Sequence, residues 1–173
     1  MNSLNIDGIK FESITYGSLK SYEVIEIIKD FLEKDPIREY SLVIGTDSHE
    51  KTGSTKSSRN LNLVTAVLVH RRGFGGKYFW VRKYVTNIHS LREKIYAETL
   101  QSLEFASVFI PSLRLKLNGK TPKYNLEIHI DVGEHGDSRD MIKEVVGMVT
   151  GNGYVAKTKP EAYGATYVAD KHA

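Results

Sequence analysis

Apolar side chains first take a helical spacing at Tyr22, Ile25, Ile28, Phe31 and Leu32, as on one face of a helix. Ser21 stands where an N-cap belongs, and Glu23 suits the positive end of such a helix. Pro36 closes it, because the residue before a proline avoids helical geometry. The residues ahead of it, to about 17, read as an arm or a short strand. Ser41-Leu42-Val43-Ile44-Gly45-Thr46-Asp47 is apolar on both faces, the mark of a central strand covered on both sides. Leu61–His70 and Tyr78–Val85 predict two more strands, joined by the glycine-rich link 71–77 as a hairpin. Ser90-Leu91-Arg92-Glu93 is a capping box and opens a helix to about Phe109. Pro111 and Pro122 bracket a loop. Leu126–Val132 alternates as a fourth strand. A third helix starts at Asp137 or Ser138 and ends at Gly151-Asn152-Gly153, residues that tolerate left-handed geometry. Tyr154–Thr158 is a short fifth strand, and Pro160–Ala173 a terminal helix.

Three strands on short links predict an antiparallel meander, and the later strands alternate with helices, which implies parallel crossovers. The expected fold is therefore α/β: a five-stranded mixed sheet with helices on both faces. Residues 1–39 form an arm and helix appended to a core of 40–173. At 173 residues, with 40% hydrophobic and 26% charged side chains, the composition is that of an ordinary globular chain. The chain has no cysteine, which excludes disulfides, thiolate metal sites and a cysteine nucleophile. No apolar run approaches the ~18 residues of a membrane span, and the N-terminus lacks a signal-peptide pattern. A cytoplasmic location with no membrane partner is the expectation.

Four acidic residues invite a chemical reading. Asp47 and Asp131 close two apolar strands, at the rim where open α/β sheets keep their sites. Each alone also suits a turn residue leaving a strand. If those strands are parallel neighbours, the two carboxylates repel unless a cation lies between them. On a helical wheel Glu98 falls about 20° from Leu91, between Ile95 and Phe105, inside the apolar stripe. Glu93 and Glu104 fall on the opposite side. A glutamate facing the core is costly unless paired or metal-bound; the structural alternative is a buried salt bridge, with Arg82 for example. Asp170 lies near the end of the last helix, where a carboxylate opposes the helix dipole, though an exposed terminus accounts for it equally. Oxygen ligands of this kind suit Mg²⁺ or Mn²⁺, and a pair of such ions supports in-line phosphoryl transfer.

The net charge is only +3, but it is unevenly spread. Residues 51–83 hold Lys51, Lys56, Arg59, Arg71, Arg72, Lys77, Arg82 and Lys83 and no acid. Such a stretch suits a polyanion, and it equally suits a hairpin whose charged edges block aggregation.

These motifs together resemble the ribonuclease H-like superfamily, and its YkuK-type bacterial branch in particular. Ile44-Gly45-Thr46-Asp47-Ser48 resembles the first-strand aspartate motif, Glu98 the glutamate of the helix after the meander, Ile128-His129-Ile130-Asp131 the fourth-strand aspartate, and Val168-Ala169-Asp170-Lys171-His172-Ala173 the closing helix. The likeness covers about residues 40–173. The glycine that follows the first aspartate in ribonuclease H proper is absent, and Ser48-His49 stands there. The resemblance implies a nuclease using two Mg²⁺ or Mn²⁺ ions, with Asp47 bridging them, Glu98 and Asp131 on one and Asp170 on the other. His135, His172 or Lys171 would move protons or hold the phosphate. Lys51, Lys56, Arg59, Arg71, Arg72 and Lys77 would then follow a nucleic-acid backbone, RNA, DNA or hybrid. Phe74 is a candidate for base stacking; Tyr78 and Trp80 suit the core better.

Other readings remain open at this level. Asp47-Ser48-His49 has the Asp-x-His form of a metallophosphoesterase, with His129 and Asp131 as further ligands. Gly45-Thr46-Asp47-Ser48 has the look of a phosphate loop, on a chain too short for two clamping lobes. A non-catalytic nucleic-acid-binding or interaction module is the third.

Overall fold

The computed structural model of the protein describes residues 5–117 and 122–172, so Ala173 of the expected last helix lies outside the described residues. A single mixed sheet runs through the molecule. Its strands are β1 (Lys10–Ser13), β2 (Gly17–Lys20), β3 (Tyr40–Glu50), β4 (Arg59–Arg71), β5 (Gly76–Ile88), β6 (Tyr124–His129) and β7 (Val155–Lys157). Their order across the sheet is β2-β1-β5-β4-β3-β6-β7. The helices are α1 (Ser21–Glu33), α2 (Leu91–Lys116), α3 (Ile142–Gly151) and α4 (Tyr163–His172).

The meander is as expected: β3 pairs antiparallel with β4, and β4 with β5. β6 joins β3 in parallel, and β7 joins β6 in parallel. The count is corrected from five strands to seven, because the N-terminal arm is a hairpin whose β1 pairs with the edge of β5. Each of its strands is four residues long and only Phe11 and Ser13 are buried. So short and polar a segment leaves no alternation for a sequence pattern to register.

Side chains alternate across the sheet, and the two faces carry different cores. One face packs Leu42, Ile44, Val67, Val69 and Phe79 against Val24, Ile28 and Leu32 of α1, Phe105 and Phe109 of α2, and Val145 and Val149 of α3. The other is thin: Val64, Ala66 and Trp80 meet Val168 and Ala169 of α4. Gly164 lets the first turn of α4 lie close to the sheet, since an added Cβ there would stand 3.3 Å from Leu68.

Several boundaries moved for physical reasons. α2 runs through Pro111 to Lys116 instead of stopping at Phe109. Proline removes one helical bond at a cost of about 3 kcal/mol, and burial of Ile110 before it and Leu113 beyond it offsets that cost. Ser90 caps α2 as expected, accepting from the Glu93 N–H, while the Glu93 carboxylate accepts from the His89 N–H. Lys20 rather than Ser21 is the N-cap of α1, and its N–H donates to Glu23 at 2.7 Å. β6 ends at His129, two residues short of Asp131: the Ile130 N–H still donates to the Lys157 carbonyl of β7, and the chain then turns, with the Val132 N–H donating to the Ile130 carbonyl. Among the described residues, no helix is long and apolar enough to cross a membrane.

Candidate active site

Parallel pairing of β3 with β6 ends at Gly45 beside His129. Two steps further along each chain stand Asp47, still within β3, and Asp131, just past the end of β6. Asp47 lies on the α4 face, one position removed from Ser48, which faces α2. α4 crosses above the strand ends and brings Asp170 to the same place, with His49 Nε2 at 3.7 Å from its carboxylate. Asp47, Asp131 and Asp170 line one open cleft of about 350 Å³ with Lys159, Tyr163 and Tyr167.

Glu98 reaches the same strand from the opposite face. Its Oε1 accepts from Ser48 Oγ at 2.6 Å, and Lys94, one helical turn back, lies at 3.4 Å. The sequence-level partner Arg82 is elsewhere: it pairs with Glu12 and donates to the His172 carbonyl. Below Glu98 the α2 face stays polar and sealed, with Ser102 Oγ donating to Thr46 Oγ1 at 2.7 Å and Thr46 sharing a 2.9 Å hydrogen bond with Thr65.

The charges in this region strain against one another. Asp47 is only 7% exposed. Burial pushes its carboxyl up, the Ser48 N–H and Lys94 pull it down, and Asp131 and Asp170 push it up again. Glu98 is 6% exposed and is pushed up to about 7, chiefly by burial, against the pull of Lys94 and the Ser48 hydroxyl. Asp131 is held by Lys159 Nζ at 2.6 Å, and this contact with Asp131 raises the lysine's own pKa.

No group of three or more His, Cys, Asp or Glu side chains among the described residues is gathered tightly enough to close around a metal ion as it stands. The donor set nonetheless fits a hard divalent cation in its chemistry. It consists of carboxylate oxygens, it is mutually repulsive, and a cationic amine already sits on Asp131. Such repulsion is what a bound cation relieves.

The remaining expected residues are scattered. His135 lines an adjoining cleft of about 510 Å³ with Gly133, Lys159 and Pro160. Lys171 is exposed on α4. The His172 ring stacks on Trp80 at 3.7 Å, and burial lowers its pKa. The buried His129 gives Nε2 to Glu127 at 3.0 Å and lines a separate pocket with His70 and Gly164. The basic stretch divides in two. Lys51, Lys56 and Arg59 lie in and beside the β3–β4 connection, at the Asp47 end. Arg71, Arg72 and Lys77 lie at the other end; Arg71 pairs opposite Tyr40, seven residues and so about 23 Å from Asp47 along the strand. Most of these cations have structural partners. Arg71 donates to Tyr40 and to the Phe31 carbonyl, Arg72 pairs with Glu39, Arg59 with Glu50, and Lys77 donates to Tyr16. Lys51 lies over the Tyr84 ring at 4.9 Å, and Lys56 is exposed. Phe74 lies under Arg38, while Trp80 is buried as expected.

Sequence reasoning missed Lys159, Lys94, Ser48, Tyr163 and Tyr167. Lys94 and Glu98 stand four residues apart, the spacing of a helical ion pair, and Tyr163 and Tyr167 share that spacing. Nothing in the sequence pattern marks Lys159, whose position depends on how the chain leaves β7.

The ribonuclease H-like family profile matches residues 23–173. Among curated proteins, the chain is 34% identical over 174 residues to the uncharacterized protein YkuK of Bacillus subtilis (strain 168), covering 95% of this chain and 97% of that one. No solved structure matches significantly.

Proposed function

The chain belongs to the ribonuclease H-like family, and from that premise we propose that it is a metal-dependent nuclease hydrolysing phosphodiester bonds of nucleic acid. One observation carries the reading: three aspartates from three separate elements, β3, the exit of β6 and α4, line one open cleft. A structural salt-bridge network has no need to place three carboxylates together with a single lysine among them.

In this proposal Asp47, Asp131 and Asp170 are the oxygen donors for Mg²⁺ or Mn²⁺, with Glu98 joining from the α2 side. Two such ions, when bound, activate a water and stabilise the leaving oxygen of an in-line displacement. Lys159, beside Asp131, offers its ammonium to a phosphate oxygen. His49 beside Asp170 and His135 in the adjoining cleft are the imidazoles placed to move a proton. Residues 40–173 carry all four carboxylates. The N-terminal segment 1–39 acts as support, since Glu12 holds Arg82, which bonds the end of α4 two residues past Asp170. A metallophosphoesterase fits less well, because His129 is engaged by Glu127.

The test is cleavage of labelled RNA–DNA hybrid, single strands and branched substrates in Mg²⁺ or Mn²⁺. Asp47→Asn and Glu98→Gln are expected to lose activity by at least about 10²-fold, the scale for removing one electrostatic group from a reacting centre. Binding without cleavage that survives both substitutions would leave a non-catalytic binding module instead.

A further inference from the structure

α4 presents two tyrosines to solvent at the edge of the carboxylate cleft. Tyr163 is 76% and Tyr167 is 69% exposed, and both line the cleft that holds Asp47, Asp131 and Asp170. They stand at i and i+4, so they are neighbours on one helix face. Lys171, one turn further, continues the same stripe and is exposed.

Tyr22 on α1 is likewise exposed and has no partner among the described residues, but it does not line the cleft; other exposed or half-buried tyrosine rings have local work. Tyr16 stacks on Phe79 and takes a hydrogen bond from Lys77. Tyr84 lies beneath Lys51, and Tyr78 packs beside Trp80 and His172. Among the described residues, the rings of Tyr163 and Tyr167 have no aromatic or cationic partner and their hydroxyls have no hydrogen bond. Burial and packing therefore do not explain them.

We propose that Tyr163 and Tyr167 form a stacking platform for unpaired nucleobases, so that the cleft takes single-stranded nucleic acid rather than a continuous duplex. The inference rests on the nuclease reading for one point only, that the phosphate lies at the carboxylates. An aromatic ring can stack on a base only where the base face is bare, and in a duplex those faces are covered by the neighbouring pairs. Base–aromatic stacking tolerates any sequence because every base has a π-face. Electrostatics point the same way. A duplex binder draws its affinity from many phosphate contacts, whereas most cations of the 51–83 stretch are ion-paired or packed, and half of the six assigned to a backbone lie at the far end of the sheet. Lys171 beside the rings has no ion pair among the described residues and gives a short anionic strand one local partner, whereas Lys159 is held by Asp131.

The experiment is fluorescence anisotropy of the full chain with labelled single-stranded RNA, single-stranded DNA and a blunt duplex of the same sequence, at low salt in Ca²⁺, an oxygen-liganded cation that can hold a phosphate at the carboxylates, with the strands checked to be intact after the measurement. Single strands are expected to bind more tightly than the duplex, and the two single-strand arms tell RNA from DNA. Tyr163→Ala and Tyr167→Ala should each weaken single-strand binding by about fivefold or more, fivefold being the low end of the loss of one stacked base. Tyr163→Phe and Tyr167→Phe should keep it, and duplex binding should not respond. Both side chains are exposed, so unchanged melting temperatures will show that the variants fold. Equal or tighter duplex binding, alanine variants that bind as the wild type does, or no binding of any strand would overturn the proposal. Its failure is distinct from that of the nuclease reading: cleavage abolished by Asp47→Asn but untouched by the tyrosine variants sinks the platform alone. Tyrosine-dependent binding with no cleavage sinks the nuclease alone.

Discussion

The two faces of β3 meet the same chemical problem, a carboxylate near a sheet end, and answer it differently. On the α2 face Glu98 is sealed between its own helix and the sheet, given a hydroxyl from Ser48 and a lysine from that helix, and its pKa is pushed up to about 7. On the α4 face Asp131 and Asp170 open onto solvent beside Lys159 and two bare tyrosines, with Asp47 buried at the floor of the same cleft. The hydrophobic support differs in parallel: three helices cover the first face and one ten-residue helix the second. The difference teaches that stability and access are divided between faces. The α2 face holds the strand in place, and the α4 face leaves its end available to a ligand.

The largest effect should come from testing that division in stability. Phe109 is fully buried among Phe11 and Phe105. Phe109→Ala is expected to cost ~3–5 kcal/mol in chemical denaturation. Val168→Ala, on the thin α4 face, should cost about 1–2 kcal/mol for its two lost methyl groups. Equal losses would mean that α4 is as deeply built into the fold as α2.

Next is the titration of Glu98. Its pKa is about 7 in the folded chain against an ordinary 4.5, so between those values the folded state holds a proton that the unfolded state has released. Stability of the metal-free protein therefore falls as pH rises through this window and levels off above it, by about 3 kcal/mol. Glu98→Gln should abolish that fall and leave a chain more stable than the wild type at pH above 7. His129, whose pKa burial lowers, works in the opposite direction as pH falls, so the difference between the two proteins is the quantity to measure. Parallel stability curves would show that Glu98 is not the group that titrates.

A smaller effect belongs to Ser48. Ser48→Ala removes the hydroxyl that donates to Glu98, and at pH 8, where the glutamate is ionised, the loss should be ~1–3 kcal/mol. The Glu98 pKa should rise further, which NMR titration of the side-chain carboxyl would read. An unchanged pKa would mean that Lys94 alone steadies the charge.

This contrast between faces also explains how much could be read from the chain. The α2 face was legible because burial there is periodic: Glu98 stands out only against Ile95, Phe105 and Phe109 on the same stripe. The antiparallel meander and the parallel sense of the later strands followed from link lengths, while the pairing of β6 with β3 did not, and Asp47 and Asp131 were picked out by their places at the ends of apolar runs. The hairpin β1–β2 was not legible, because four-residue strands bury too little to leave a pattern. Pro111 misled at the end of α2, since the burial of Leu113 beyond it counts only once the sheet is present. Lys159 was beyond reach, because it meets Asp131 through the loop after β7, and no local period carries that contact.

The smallest effect on stability should be the most telling about the open face. Lys159 and Asp131 form an ion pair with the lysine 58% and the aspartate 25% exposed. Exposed pairs of this kind contribute roughly 0–1 kcal/mol, so Lys159→Ala should barely move the melting temperature without metal. Its effect on cations should be larger. The ammonium occupies an oxygen that a divalent ion needs and offsets the negative charge that Asp47, Asp131 and Asp170 hold in common, so removing it strengthens attraction for a cation at the same place. Mn²⁺ bound by the folded state alone raises stability by mass action. The melting temperature at a fixed Mn²⁺ concentration should therefore rise more in Lys159→Ala than in the wild type, and not at all in Asp47→Asn. A smaller rise in Lys159→Ala would mean that the lysine arranges Asp131 for the ion rather than competing with it, and the open face would then be held as firmly as the sealed one.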